Sequence, residues 1–394
     1  MPDREFDLVL FGATGFTGGL TAEYLARHAP AGTRGALAGR SRAKLEQVRD
    51  RLAAIDPRLQ RLSLVEADVT DAAAMADLAR RTRVLITTVG PYLEHGEPLV
   101  RACAEAGTDY VDLTGEPEFV DTMYLRYHAA AVASGARIVH ACGFDSVPHD
   151  LGVMFTVQQL REGVPLSVRG MVRSNAMPSG GTFASFLDQV SRGRQMRHAG
   201  ADRRAAEPRP AGRKVRTAAR RPHFDKEIGY WLVPLPTIDP FVVKRSAAAL
   251  DRYGPDFTYA HYAAVKRLPT VVGGIATVGA VAAAAQVPPL RRVLKRRLPQ
   301  GEGPSEERRE RSYFSVRFVG EGGGRTVHTE VRGGDPGYTE TAKMLAESAL
   351  CLAYDDNPAT AGMVTTAQAM GPHLLDRLVR AGLRFEVTGP GGST

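Results

Sequence analysis

Apolar and polar positions alternate between two periods along the first 150 residues. Short apolar runs that end on glycine or a polar turn mark strands at Phe6–Phe11, Gly35–Ala38, Leu62–Ala67, Val84–Val89, Asp109–Leu113 and Arg137–Ala141. Between them lie stretches with apolar residues at helical spacing: Thr17–His28, Arg42–Leu52 (with Leu45, Val48 and Leu52 on one face), Asp71–Arg81, Pro98–Ala106 and Glu118–Ser134. Regular strand–helix alternation with short connections predicts a doubly wound parallel sheet, the Rossmann arrangement of α/β proteins.

The pattern changes after about residue 150. Ser167–Ser174 alternates as a strand, and Tyr313–Val319 sets Phe314, Val316 and Phe318 on one face. Gly320–Gly324 turns that run into Thr326–Val331, a hairpin that predicts an antiparallel sheet. Thr339–Ala353 and Val364–Ala381 read as closing helices. The expected organisation is a dinucleotide domain over 1–150, an α+β domain with an antiparallel sheet over 151–335, and C-terminal helices over 336–394 that close onto both.

Two segments depart from this plan. Arg192–Arg221 is poor in large apolar residues and reads as a mobile basic insert. Leu268–Leu290 carries no charge over 23 residues, with prolines that trim it to 18. Its glycines and alanines favour a buried small-residue helix. The alternatives are a bilayer span and an interfacial helix assisted by Arg291–Arg297, with membrane contact through 268–297.

Charge sharpens this picture. The chain carries +8, yet 11 Lys and Arg against Asp202 and Glu207 give 192–221 a charge of +9. The remainder is therefore at −1, a near-neutral protein with one basic insert. A field spread for nucleic acid is not expected, since only Phe224 stands near the insert for base stacking. Three cysteines, Cys103, Cys142 and Cys351, form neither a disulfide framework nor a zinc motif. A reducing, cytoplasmic setting fits them, and the N-terminus holds no signal-like apolar stretch.

The chemistry concentrates at strand ends. Gly12-Ala13-Thr14-Gly15-Phe16-Thr17-Gly18 joins the first strand to the first helix. In that position Gly12 allows the tight turn, Gly15 lets backbone N–H groups approach a pyrophosphate, and Gly18 lets helix and sheet pack closely. The second strand ends in Gly39-Arg40-Ser41 with Lys44 beyond, where an NAD site usually carries an acid. Arg40 and Ser41 suit a 2′-phosphate, so NADP(H) is the expected cofactor. Asp68-Val69 closes the third strand near an adenine edge, with Asp68 equally suited to capping the next helix. Thr88-Val89-Gly90-Pro91-Tyr92 closes the fourth, beside the nicotinamide half. Candidates for the chemical step are Tyr92, Asp112, Cys142 and Tyr338, with Thr114, Glu116, Asp145 and Ser146 in the same loops. No metal motif appears in the sequence, and none is expected.

These motifs carry a resemblance. Gly12–Gly18, Ala38–Ser41, Thr88–Tyr92, the stretch Gly107-Thr108-x-Tyr110-Val111-Asp112-Leu113-Thr114-Gly115-Glu116 and His140–Pro148 resemble the saccharopine dehydrogenase-like oxidoreductases. Gly334–Tyr338 and Ala367–Gly371 are similar to the actinobacterial trans-acting enoyl reductases within that group. The resemblance implies NADP(H) as hydride carrier and an α,β-unsaturated acyl chain as substrate. That chain would be presented by a polyketide synthase carrier in lipid or glycolipid synthesis. An acidic carrier protein is then the expected partner of the basic insert, and a homodimer is an expectation for the second domain. Two alternatives stand: a dehydrogenase acting on an amino-acid-like C–N substrate, and a non-catalytic NADP-binding scaffold or redox sensor.

Overall fold

The structure, a computed structural model, describes residues 4–176, 180–218, 221–235, 237–297 and 303–389. The first half supplies strands β1 (Phe6–Phe11), β2 (Gly35–Gly39), β3 (Ser63–Glu66), β4 (Thr82–Thr87), β5 (Asp109–Val111) and β6 (Arg137–Val139). The second supplies β7 (Leu166–Ser174), β8 (Lys214–Thr217), β9 (His223–Asp225), β10 (Tyr230–Pro234), β11 (Asp256–Val265), β12 (Phe314–Gly322), β13 (Arg325–Gly333), β14 (Gly362–Val364) and β15 (Arg384–Thr388).

One sheet is wholly parallel in the order β14-β6-β5-β4-β1-β2-β3. Strand order reverses between β1 and β4, where Val9 sits opposite Ala36 on one side and Leu85 on the other. That reversal opens a crevice beyond the strands' carboxyl ends, the place where open α/β sheets bind ligands. The fully buried Val9, Val84, Leu85 and Ile86 explain why these strands read as continuous apolar runs.

The second sheet runs β15-β13-β12-β7-β11-β10-β9, with β8 also beside β11. The β12–β13 hairpin is as expected. The sheet as a whole is mixed, because β11 runs parallel to both β7 and β8. The connection between β7 and β11, which includes three helices and strands β8–β10, is long enough to bring the chain back in the same direction, which a hairpin cannot do. Helix Val147–Gln158 is packed against this sheet so closely that a Cβ on Gly152 would lie 2.4 Å from the Phe318 ring.

The C-terminal segment is divided between the two sheets. Helix Thr339–Tyr354 packs under β4 and β5 and against helix Phe16–His28, β14 extends the parallel sheet, and β15 edges the mixed one. The expected helix from Val364 is two shorter ones, Thr366–Ala369 and Gly371–Arg380, preceded by β14.

The described part of the basic insert, 192–218 and 221, is not a bare loop. It forms helix Gly193–Ala206 and strand β8, and several of its cations have partners far away in sequence. Arg203 is buried and paired with Asp121 and Glu207. Arg192 meets Glu118 at 2.6 Å and Arg216 meets Asp256 at 2.7 Å. Arg213 donates to the carbonyl oxygens of Ala247 and Leu250, closing the C-terminus of helix Asp239–Ala249. Composition alone could not show acids that the fold brings from 74 and 82 residues upstream. Helix Leu268–Ala285, conversely, is not buried: only Val271 and Ala285 of its side chains are covered.

The Arg203 pairing predicts that Arg203→Ala leaves Asp121 buried without its counter-ion and costs about 3–5 kcal/mol. Arg197→Ala, on the exposed face of the same helix, should change stability by less than about 0.5 kcal/mol. Urea unfolding of both variants checks this, and equal small effects would return the segment to a mobile loop.

Candidate functional site

The turn after β1 is built by the absence of side chains. Gly12 has φ +98°, and a Cβ there would lie 2.7 Å from Val89 Cγ2. A Cβ on Gly18 would lie 2.1 Å from the carbonyl oxygen of Gly12. Gly15 is different: its nearest neighbour would be 3.6 Å away, leaving a cradle open to the cleft. Gly15 is also the N-cap of helix Phe16–His28, which has neither a capping side chain nor an acid in its first turn. Its leading N–H groups therefore meet the cleft with the positive end of the helix dipole, an anion site. Thr14, Phe16 and Thr17 line this space, while Ala13 is buried in the core. The Thr88 hydroxyl donates to Gly12 O at 3.1 Å and holds the turn to the end of β4.

Beyond β2, Arg40 is exposed and makes no hydrogen bond or ion pair among the described residues. Its neighbours are engaged: Arg34 with Asp7 at 2.9 Å and Arg42 with Glu46 at 3.1 Å. Ser41 caps helix Arg42–Ala53 by accepting from Lys44 N, and the Lys44 side chain is exposed beside it. An uncommitted guanidinium, a hydroxyl and an ammonium thus gather where a 2′-phosphate would lie. Asp68 accepts from the Thr70 N–H and hydroxyl, which together with nearby Arg40 hold its carboxyl below the ordinary value. It is not the cap of the following helix; Asp71 takes that role, bonding to Ala73 N and Ala74 N. The Val69 side chain lies in the core with Ala67 and Met75.

The glycine turn, Thr88-Val89-Gly90-Pro91 and Tyr92 continue into a cleft of about 630 Å³. Its far wall is Ala141, Gly143, Phe144, Asp145 and Ile238, and its cover is Phe186, Gln189 and Tyr338. The Tyr338 ring meets Phe16 edge-on at 5.0 Å, so of the four expected catalytic side chains this one faces the cofactor turn.

The other three are corrected by their surroundings. The Tyr92 ring touches the cleft, but its hydroxyl donates to Thr87 O and accepts from Leu113 N, and burial raises its pKa well above the ordinary value. Asp112 is fully buried and takes no place in the cleft lining. It accepts from the Tyr110 hydroxyl at 3.0 Å, Thr114 N at 3.0 Å and Ala141 N at 2.9 Å, with His140 Nδ1 at 2.7 Å. It is the clasp between the loops after β5 and β6, and it holds Ala141 in the left-handed region at φ 60°. Cys142 is a core residue whose thiol donates to Val139 O, and burial pushes its pKa far up, away from thiolate chemistry. Glu116 serves similarly, accepting from Tyr92 N, Leu93 N and the Ser185 hydroxyl.

Asp145 is the contrasting carboxyl. It borders the cleft and has no hydrogen-bond partner among the described residues. Burial, reinforced by the charge of Asp239 and opposed by His149, raises its pKa to about 6. Behind it lies a trio that sequence reasoning did not single out. Asp239 Oδ1 is 2.6 Å from His149 Nδ1, and Oδ2 is 3.5 Å from His261 Nε2. Burial pushes His261 down to about 4, and Phe144 seals His149 from the cleft, ring to ring at 5.5 Å. The three residues are far apart in sequence, and only His149, within the stretch after β6, lay near a noted motif.

A helix start stripped of side chains, a free arginine after β2 and a cleft at the strand reversal define a dinucleotide-dependent oxidoreductase of the Rossmann class. Residues 8–139 match the family model for the saccharopine dehydrogenase NADP binding domain. The trans-acting enoyl reductase of Mycobacterium ulcerans (strain Agy99) is 36% identical over 424 residues, covering 98% of each chain. A Mycobacterium tuberculosis (strain H37Rv) protein that carries the same name provisionally is 40% identical over 416 residues, again with 98% of each chain covered. Among solved structures, apo saccharopine dehydrogenase (L-Glu forming) from Saccharomyces cerevisiae superposes over 98% of this chain and 100% of its own. Its TM-score is 0.57 at 12% identity, a likeness of fold. The chain belongs to the saccharopine dehydrogenase-like oxidoreductase family, in the group of the trans-acting enoyl reductases, and is an NADP-dependent oxidoreductase.

The Arg40 position predicts that Arg40→Ala weakens NADPH binding by about 10-fold or more while NADH binding changes little. Fluorescence titration with both nucleotides measures this. Equal losses for the two would remove Arg40 from the 2′-phosphate.

Proposed function

We propose that this chain is an NADPH-dependent enoyl reductase that acts in trans on an α,β-unsaturated acyl thioester carried by a polyketide synthase in lipid synthesis. The observation that carries the substrate class is the cleft itself. Its described lining contains Phe16, Val89, Leu113, Phe144, Phe186, Ile238 and Tyr338, and no lysine, arginine or histidine. An amino-acid-like diacid would need fixed cations to offset its carboxylates, whereas an acyl chain needs an apolar, water-poor channel. The full-length relatives named trans-acting enoyl reductases support the same reading. The acidic carrier is assigned to the exposed Arg194, Arg197, Arg204 and Arg209 on and beside helix Gly193–Ala206.

When bound, NADPH supplies a hydride to the substrate β-carbon. The residues that would hold it are the Gly12–Gly18 turn at the pyrophosphate and Arg40, Ser41 and Lys44 at the 2′-phosphate. Val89, Gly90 and Pro91, at the close of β4, would hold the nicotinamide end. As the new C–H bond forms at the β-carbon, the alkene electron pair moves onto the thioester as an enolate. Asp145 then delivers a proton to the α-carbon and is reprotonated from solvent, which completes the saturated acyl thioester. The clasp formed by Asp112, Tyr92 and Glu116 fixes the loops that position substrate against cofactor.

NADPH oxidation with a 2-enoyl thioester should proceed, and oxidation or reduction of saccharopine and its precursors should not. Turnover of the amino-acid substrate alone would favour the C–N dehydrogenase. Tight NADPH binding with no turnover of either would favour a non-catalytic module.

Asp145→Asn should lower kcat about 100-fold. The charged groups facing Asp145 are Asp239 and His149. In the parent enzyme kcat/KM falls as pH rises through about 6, when the carboxyl loses its proton; the variant should lack that limb. Since the folded pKa of about 6 lies above the ordinary 3.8, the unfolded chain ionises first, and stability is lost as pH rises from about 4 to about 6. Asp145→Asn should therefore match the parent's Tm near pH 3 and exceed it at every pH above about 6. An unchanged pH–rate profile would remove Asp145 as proton source.

A further inference from the structure

Helix Leu268–Ala285 is apolar and uncharged, yet it lies on the surface. Val272 is 60% exposed, Ile275 49% and Val278 53%. The apolar surface continues through Val287, Leu290 and Val293 into the next helix, Pro288–Arg297. Water-exposed aliphatic side chains in such a run mark a surface that meets something apolar.

The helix does not leave the body of the protein. It follows β11 within the mixed sheet, packs along helix Gly180–Ser191, and at its far end the Gln286 side-chain amide donates to Val190 O at 2.9 Å. An 18-residue helix is about 27 Å long, so attachment at both ends means that it lies along the surface. A bilayer span would set its two ends on opposite sides of a membrane.

The rim of this surface carries charge of one sign. From Lys266 to Arg297 the sequence has no acid, Lys266, Arg267, Arg291 and Arg292 bracket the apolar stretch, and Lys295, Arg296 and Arg297 follow in sequence. A second copy pressed against the same face would bring like charges together around a two-fold contact. An anionic lipid surface meets both the aliphatic face and the cationic rim.

We propose that residues 266–297 dock this chain peripherally on an anionic phospholipid bilayer, with helix Leu268–Ala285 lying in the interface plane. The helix beneath it, Gly180–Ser191, gives Ser185, Phe186 and Gln189 to the cleft. Docking therefore sets the bilayer against the cover of the cleft, where long acyl chains pass between lipid and enzyme. The docking itself does not depend on which acyl substrate the cleft reduces.

Flotation of the full chain with phosphatidylcholine vesicles, with and without phosphatidylserine, tests the proposal. Binding is expected only or chiefly with phosphatidylserine, and it should be released by alkaline carbonate. Val272→Ser/Ile275→Ser/Val278→Ser should reduce vesicle binding about 10-fold or more, and Arg291→Gln/Arg292→Gln should reduce both its strength and its salt dependence. NADPH binding should stay unchanged in both variants, since none of these side chains lies at the cleft; that readout separates lost docking from lost folding. Absence of parent-chain binding to either vesicle overturns the proposal. Carbonate-resistant binding overturns it in favour of a span. A parent dimer that the apolar triple variant converts to monomer, without vesicle binding, overturns it in favour of a second copy.

Discussion

At Gly18 a single methyl group would land 2.1 Å from the carbonyl oxygen of Gly12, so helix Phe16–His28 can begin where it does only without one. That close approach sets the geometry of the cofactor side. It turns the chain sharply at the carboxyl end of β1, aims the free N–H groups of the helix at the strand reversal, and brings Gly12 within reach of the Thr88 hydroxyl. The phosphate site is then a property of the backbone, and side chains need only leave it clear. The helix is held in that place from the other side by Thr339–Tyr354, whose return under β4 makes that helix part of the dinucleotide domain.

A second constraint works at the substrate end. The loops after β4, β5 and β6 carry few regular hydrogen bonds of their own, and buried carboxylates supply them. Asp112 and Glu116 each accept backbone N–H groups from neighbouring loops, and Tyr92 ties two of these loops through one hydroxyl. Such fully satisfied polar groups rigidify a site, whereas a partner removed would leave a buried charge unpaired. Asp145 differs from them in having no such bonds, and the same burial that makes Asp112 a clasp makes Asp145 an acid. The division of labour among these three carboxyls follows from what each one accepts.

The strands and helices of the first 150 residues were legible because buried parallel strands and amphipathic helices have distinct apolar periods, and each strand ends at a glycine or polar turn. The cofactor turn was legible because Gly12 and Gly18 each answer a close approach, while Gly15 leaves the cradle open to the cleft. What sequence could not show was the direction of side chains in irregular loops. Asp112 and Asp145 both follow a parallel strand by a residue or more, yet one points into the core and the other borders the cleft. Arg203 looked solvated because its partner Asp121 lies 82 residues away. Helix Leu268–Ala285 looked buried because small apolar residues usually are; which of them find a neighbour is decided by the fold around them. Strand β14 is as short as β5 and β6, but it stands outside the strand–helix alternation of the first 150 residues and runs directly into the helical pattern that begins at Val364.

Isotope tracing tests the central claim most directly. NADPH deuterated at the transferable C4 position, incubated with the enzyme and a 2-enoyl thioester, should give a saturated acyl product with deuterium at the β-carbon. A parallel reaction in heavy water should place solvent-derived deuterium at the α-carbon. Label recovered at a nitrogen-bearing carbon of an amino-acid substrate, or a 2-enoyl thioester returned unlabelled and unreduced, would contradict the account.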